Sequence, residues 1–284
     1  MLGPDYQRPS APTAEEWVAA EAANVRPEAG EFVEWWRELD DPKLNLLVGM
    51  AYRENRSLRI AGLRVLEVGC GGGQNSIVLS SWGAICTGID PSGAQLAHAR
   101  RLASEQGQPV QFAEGIAENL GGFQDSSFGL VLSSYAFDYV SDLGSACDEA
   151  WRVLMPGGLF VFCQSHPWFQ AVGWHLAGDA EAPEVGNYAA WPDVEEWDWQ
   201  FENGTSAPMR GHLRPLAEII NTVTGSGFLL ERMVEQATED IAGASPEELE
   251  RLPYLNPYDT SSKEYEIMRK LPFTLVIRAR KPKI

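Results

Sequence analysis

From residue 64 onward, short apolar runs alternate with segments of helical spacing. Val65, Leu66 and Val68 form a run that stops at Gly69, the pattern of a strand buried on both faces of a parallel sheet. Gln74 to Trp82 sets Ile77, Val78 and Trp82 at helical spacing, and Ala84 to Ile89 reads as a second strand closed by Asp90. Gly93 to Gln106 repeats the helical pattern with Leu96, Ala99 and Leu102; Val110 to Ala113 and Gly129 to Ser133 follow as strands. Asp142 is placed to cap a helix carrying Cys147, Ala150 and Val153, and Pro156, Gly157 and Gly158 are expected to stop it before a strand over Leu159 to Cys163. Such alternation predicts an α/β, doubly wound sheet of the Rossmann-like kind.

Beyond His166 the pattern changes. Residues 167–211 hold five tryptophans among prolines and glycines without sustained periodicity, and read as an insertion over the site. Leu213 to Thr224 returns to helical spacing, ending at Gly225 and Gly227, and two β-rich segments follow, Phe228 to Val234 and Phe273 to Ala279. Upstream, a proline-rich opening leads to an amphipathic stretch, roughly Pro42 to Gly62, so the chain divides into an extended-then-helical appendage (1–62) and a domain (63–284).

Composition narrows the function. A chain of 284 residues, 44% of them hydrophobic, can fill one large α/β core with an appendage. Its net charge of −18 argues against a nucleic-acid partner, because phosphate binding relies on a basic face. No apolar run approaches the roughly 20 residues of a membrane span, and MLGPDYQRPS lacks a charged-then-apolar signal pattern, so a cytoplasmic location is expected. The four cysteines, Cys70, Cys86, Cys147 and Cys163, form no C-x-x-C pair; they read as reduced core residues, not as a metal site or disulfides.

The candidate chemistry sits at the glycine-rich turn after the first strand. A dinucleotide fingerprint fails in both registers, since its sixth position is Gln74 counted from Gly69 and Ser76 counted from Gly71. The Gly-Lys-Ser/Thr ending of a phosphate-cradling loop is also absent. What remains is E-x-G-x-G, formed by Glu67, Gly69 and Gly71, leading into a helix N-terminus, with Asp90 closing the second strand. A carboxylate at that place can accept both hydroxyls of a ribose, which points to a nucleoside-bearing cofactor.

With that loop, the blocks FAEGIAENL, DSSFGLVLSSYAFDYV and EAWRVLMPGGLFVF give residues 63–165 a resemblance to the class I S-adenosylmethionine-dependent methyltransferases. The resemblance implies a seven-stranded sheet with a reversed last strand, S-adenosylmethionine as cofactor, no metal and a small-molecule acceptor attacking through O, N or C. It assigns Glu67 to organising the loop and the methionine end, the Gly69 and Gly71 backbone to contact with the cofactor, and Asp90 to the ribose. Ser133, in the fourth-strand block, joins the cofactor set. In many relatives an Asp after the glycine of this block meets the adenine amino group; here Ile116 takes that place and Ala117 offers its N–H. That departure implies weaker binding and keeps open a non-catalytic binder of S-adenosylmethionine.

Oxygen and nitrogen acceptors generally lose a proton on methylation, so a base near the carboxyl ends of the strands is expected. Tyr135, Asp138 and Tyr139 after the fourth strand and His166 after the fifth are the candidates; Asp138 stands where relatives often carry His. His166 can equally hydrogen-bond backbone in a turn, and the tryptophans of the insertion can form a lid or pack it onto the body. Residues 176–256 hold sixteen acidic against four basic residues, either a solvated face or an attraction for a cationic, amine-bearing acceptor. Residues 3–62 resemble the N-terminus of outer-membrane efflux channel lipoproteins, though the lipidated cysteine and the barrel strands of that family do not accompany them. An adventitious fusion is the favoured reading of that segment and an envelope-associated efflux role the alternative. Oligomeric state is left open.

Overall fold

The computed structural model describes residues 60–173, 188, 194–200, 206–237 and 269–283. The predicted helix near Pro42 and the efflux-like segment lie outside the described residues except for their last three, 60–62, and much of the insertion lies outside them too. Nine strands and four helices carry the described architecture: β1 (Arg64–Val68), α1 (Gln74–Ser81), β2 (Ile85–Asp90), α2 (Gly93–Glu105), β3 (Gln111–Glu114), β4 (Phe128–Ser134), α3 (Leu143–Val153), β5 (Leu154–Ser165), β6 (Glu195–Gln200), β7 (Ser206–Gly211), α4 (Leu216–Gly225), β8 (Leu229–Ala237) and β9 (Pro272–Arg280). Seven strands form one sheet in the order β3-β2-β1-β4-β5-β9-β8, while β6 and β7 pair as a separate hairpin. The first five strands of the sheet run parallel, and β9 lies antiparallel to both β5 and β8. The doubly wound sheet with a reversed last strand is therefore as expected.

Alternation along each strand divides the core. Val65 packs with Cys86 and Leu79 on one face of the sheet; Leu66 and Val68 turn to the other, where they meet Val131, Phe160 and Phe162. That second face buries α3 through Leu143, Ala146, Cys147, Ala150 and Val153, a helical stripe, and α4 through Ile219 and Val223. Phe137, Phe160, Phe162 and Phe228 cluster there with ring centroids 4.8–5.6 Å apart. Each such ring contributes roughly 1.5–3 kcal/mol of burial. No described helix is long and apolar enough to cross a membrane.

Four local expectations need correction. The helix α3 starts as expected, with the Asp142 side chain accepting from the Ser145 N–H, but ends at Val153 rather than at the Pro-Gly-Gly triplet. Pro156 to Gly158 lie inside β5, where the pairing jumps from Phe128–Leu154 to Leu130–Leu159 and absorbs the extra residues as a bulge. The helix end is instead capped from a distance: the buried Lys281 ammonium donates to the Trp151 and Leu154 carbonyls, both at 2.7 Å, and lies 3.8 Å above the Trp151 ring. Helix α4 begins at Leu216 instead of Leu213, because Pro215 holds the residue before it out of helical conformation. In α1 the inward face is Ser76, Ile77 and Ser80, and Val78 is 45% exposed. The insertion, read as aperiodic, contains the β6–β7 hairpin and a wide helical turn over Phe169–Gly173.

Candidate functional site

Connections leave β1 and β4 toward opposite edges of the sheet, which opens a crevice beyond their carboxyl ends. Gly69, at the end of β1, has φ +67°, and a Cβ there would stand 2.1 Å from the Ala136 Cβ. Only glycine lets the turn after β1 lie against the turn after β4. Gly71, at φ +50°, has no atom within 4 Å of its Cβ position, so this part of the loop borders open space. The loop then enters α1 through Gly73, which has no side chain to cap the helix. Glu67 does so from β1. Its Oε2 accepts from the Ser76 N–H at 2.9 Å and the Ser76 hydroxyl at 2.6 Å, and its Oε1 from the Asn75 amide at 2.9 Å. Burial pushes the Glu67 carboxyl above its ordinary range, and the hydrogen bonds from Ser76 and Asn75 oppose that rise. Glu67 thus fixes the loop by anchoring the helix that follows it.

Asp90 is 9% exposed, and its two oxygens are oriented from both sides: Oδ2 accepts from the Gly71 N–H at 2.9 Å and Oδ1 from the Ser92 N–H at 2.8 Å. The helix that follows is capped by Ser92, whose hydroxyl accepts from the Gln95 N–H. Each Asp90 oxygen keeps further acceptor capacity, presented beside the open side of Gly71. Next along the rim, β3 pairs Glu114 with Asp90, and Ile116 follows, 49% exposed, with Ala117 buried behind it. Glu118 of the same block does not face a ligand; its Oε1 accepts from the N–H and hydroxyl of Ser141, both at 2.9 Å, and ties this loop to the start of α3. Ser133 lies one residue past the Glu67–Leu132 register pair, buried, its hydroxyl without a hydrogen-bond partner among the described residues. The open face of Gly71, the remaining acceptor capacity of Asp90 and the orphaned Ser133 hydroxyl fit a ligand with an amino-acid end and a ribose.

The turn after β4 forms the opposite wall. Tyr135 holds φ +56°, a costly conformation for an aromatic residue, with its N–H donating to the Cys163 carbonyl at 2.8 Å and its hydroxyl bonded to Thr274 Oγ1 of β9. Asp138 is half-buried; its Oδ2 accepts from the Ser165 N–H at 3.1 Å and hydroxyl at 2.9 Å, and burial pushes its carboxyl up to about 6 against those bonds. Tyr139 is 46% exposed, its phenol pushed up by burial and by the neighbouring Asp138 charge. His166 is fully buried. Its Nδ1 accepts from the Trp168 N–H at 3.1 Å, so the proton sits on Nε2, which is 2.8 Å from Glu235 Oε1. Both ring nitrogens are engaged, in a strut between the ends of β5 and β8. Tyr135, Asp138 and Tyr139 share the rim that touches the glycine loop, whereas His166 stands behind it. Sequence reasoning did not single out Ser76, Ser165 or Thr274, which hold Glu67, Asp138 and Tyr135, or Arg214, which donates to the Val140 and Ser141 carbonyls of this turn.

A family model described as "Methyltransferase domain" matches residues 66–162. Curated relatives include a ubiquinone biosynthesis O-methyltransferase of Azorhizobium caulinodans, 34% identical over 118 residues, covering 41% of this chain and 46% of that protein. Its counterpart in Maricaulis maris is 33% identical over 100 residues, 35% of this chain and 39% of that protein. The chain thus spans less than half the length of these relatives. Among solved structures, an S-adenosylmethionine-dependent methyltransferase from Mesorhizobium loti aligns with a TM-score of 0.58 and 26% identity over 78% of this chain and 92% of that one. One from Methanosarcina mazei, at 18% identity and a TM-score of 0.54 over 78% and 94%, shares the fold. Residues 66–162 thus match a methyltransferase domain, and they lie in the α/β fold of the S-adenosylmethionine-dependent methyltransferases, whose cofactor is S-adenosylmethionine.

Proposed function

We propose that this protein transfers the sulfonium methyl group of S-adenosylmethionine to a small-molecule acceptor in the crevice between the turns after β1 and β4. The observation that carries the reading is Asp90 held by the Gly71 and Ser92 N–H groups with acceptor capacity to spare, inside the segment that matches the methyltransferase model. The cofactor supplies the electrophilic methyl; the chain binds, orients and excludes water. Asp90 holds the ribose, Gly69 and Gly71 shape the loop that Glu67 anchors, Ile116 and Ala117 border the adenine, and Ser133 offers its hydroxyl. On the acceptor side Asp138 takes the proton, since a carboxylate raised to about 6 is a better base near neutrality than an ordinary one. Tyr135 and Tyr139 bound the acceptor, and His166 keeps Ser165, and through it Asp138, in place.

The names of the curated relatives specify O-methylation, which makes phenols and other hydroxyl compounds the first acceptors to examine. The charge of −18 supports an acceptor that is neutral or bears an amine. Four unpaired cysteines, three of them buried, support a reducing, cytoplasmic setting. The test is incubation with methyl-labelled S-adenosylmethionine and panels of phenols, amines and cell metabolites, followed by mass spectrometry. A labelled product supports methyl transfer. Cofactor binding with no labelled product across all panels favours instead a non-catalytic binder, the reading that the exposed Ile116 motivates.

A further inference from the structure

Arg214 lies between β7 and α4, only 9% exposed; among the described residues its ion pair is with Glu218, whose Oε1 stands 3.9 Å away on a side chain that is 57% exposed. The Arg214 Nη2 donates to the carbonyls of Val140 at 2.5 Å and Ser141 at 3.1 Å. Two residues earlier, the His212 N–H donates to the Asp138 carbonyl at 2.7 Å. A three-residue segment therefore grips the backbone of the turn after β4 at three carbonyls, Asp138, Val140 and Ser141. A buried guanidinium is costly unless its hydrogen bonds are made, and here backbone carbonyls of one turn make them. Its field falls on the carboxylates nearby, and Asp138 on the rim is one of them.

We propose that Arg214 is a positioning residue for the acceptor side: it fixes the Phe137–Ser141 backbone that carries Asp138 and Tyr139 and sets its charge against the Asp138 carboxylate. This rests on the reading that the turn after β4 faces the acceptor. The groups around Asp138 are Tyr139 on its own turn, Ser165 on β5, and His212 and Arg214 after β7; Asp142 at the start of α3 and Glu218 on α4 act on it through Arg214. Arg214→Met removes the charge and keeps the bulk, whereas Arg214→Lys keeps the charge and loses the fork.

The measurement is the titration of Asp138 by its carboxyl carbon resonance, assigned through Asp138→Asn, in the full-length protein without acceptor. Arg214→Met should raise the midpoint, as removal of an opposite charge does, and Arg214→Lys should return it most of the way. An unmoved midpoint in folded Arg214→Met protein overturns the proposal. If that variant does not fold, the unaltered protein decides: the Arg214 Nε resonance must follow the Asp138 titration and cease to do so in Asp138→Asn, and a flat Nε response overturns the proposal. These readouts need neither acceptor nor cofactor. Unchanged methyl transfer in folded Arg214→Met protein whose Asp138 midpoint has moved would therefore sink the acceptor assignment and leave Arg214's hold on Asp138 standing.

Discussion

At Asp90 the two candidate roles share both carboxylate oxygens. The loop-holding bonds from Gly71 and Ser92 need an acceptor, while ribose recognition needs a charged one. Asp90→Asn keeps the shape and one acceptor, so we expect a folded protein with S-adenosylmethionine affinity reduced ten- to a hundredfold, about 1.4–3 kcal/mol. Calorimetric titration reads this directly, and an unchanged dissociation constant removes Asp90 from the ribose. Asp138 makes a second prediction, about pH. Its carboxyl is raised from 3.8 to about 6, so it favours the folded state below pH 3.8, and that contribution is lost as pH rises through about 6. Asp138→Asn cannot ionise. Its stability relative to the parent should therefore climb between pH 4 and pH 7 by about 2–3 kcal/mol, since one pH unit corresponds to about 1.4. Urea unfolding of both proteins across that range checks the sign, and parallel curves would mean that the carboxylate is hydrated. The identity of Asp90 was legible from its place at a strand end. That of Ser76, Ser165 and Arg214 was not, because what distinguishes them is a partner 9, 27 and 74 residues away.

Elements were legible where periodicity came from burial. β1 read directly because a strand buried on both faces shows as a short apolar run, and α3 because its buried positions follow the helical period. The helix end at Val153 was misread because Pro-Gly-Gly carries the chemistry of a stop, yet the sheet absorbs it as a bulge and a lysine from beyond β9 caps the helix. α1 has a weak signal for a related reason: two of its three buried residues are serines, and Glu67 satisfies one of them, Ser76. The glycine loop between β1 and α1 yields a paired prediction. Gly69→Ala meets both a left-handed backbone and the Ala136 Cβ at 2.1 Å, so it should cost about 2–5 kcal/mol and weaken cofactor binding along with the fold. Gly71→Ala has a left-handed backbone but nothing within 4 Å, so the fold should lose only about 1 kcal/mol. Its methyl would instead enter the space beside Asp90, and affinity should fall far more than stability. Thermal melts beside binding isotherms separate the two, and equal ratios of stability loss to affinity loss would mean that the open side of the loop is not where the ligand lies.

On the scale of the whole molecule, the alternation of elements made the parallel strands legible, but the reversal of the last strand, β9, came only from the family resemblance, because a reversed strand has the same period as a parallel one. The appendage is where sequence and physical packing meet least. The chain divides into compact units at Asn55 and Arg56, seven residues before the break at 62 expected from the sequence. The difference is physical: Ile60 packs with Val65 and Cys86, and the Gly62 N–H donates to the Gly83 carbonyl at 2.8 Å, so the residues just before β1 already belong to the domain. Both described core clusters are built from Ile60 onward, and so are Asp90, the glycine loop and the turn after β4. A chain beginning at Arg56 should therefore fold cooperatively and bind S-adenosylmethionine with the affinity of the full-length protein. Beginning at Leu63 instead, it should lose Ile60 from the smaller cluster, a cost of about 1.5–3 kcal/mol at most for one partly buried side chain. Unfolding curves and binding isotherms on the two truncated proteins give distinct answers. Intact binding with lowered solubility in the Arg56 protein would show that residues 1–55 cover an apolar surface of the domain; loss of the cooperative transition would show that they are part of its fold, and the division at Arg56 would be wrong.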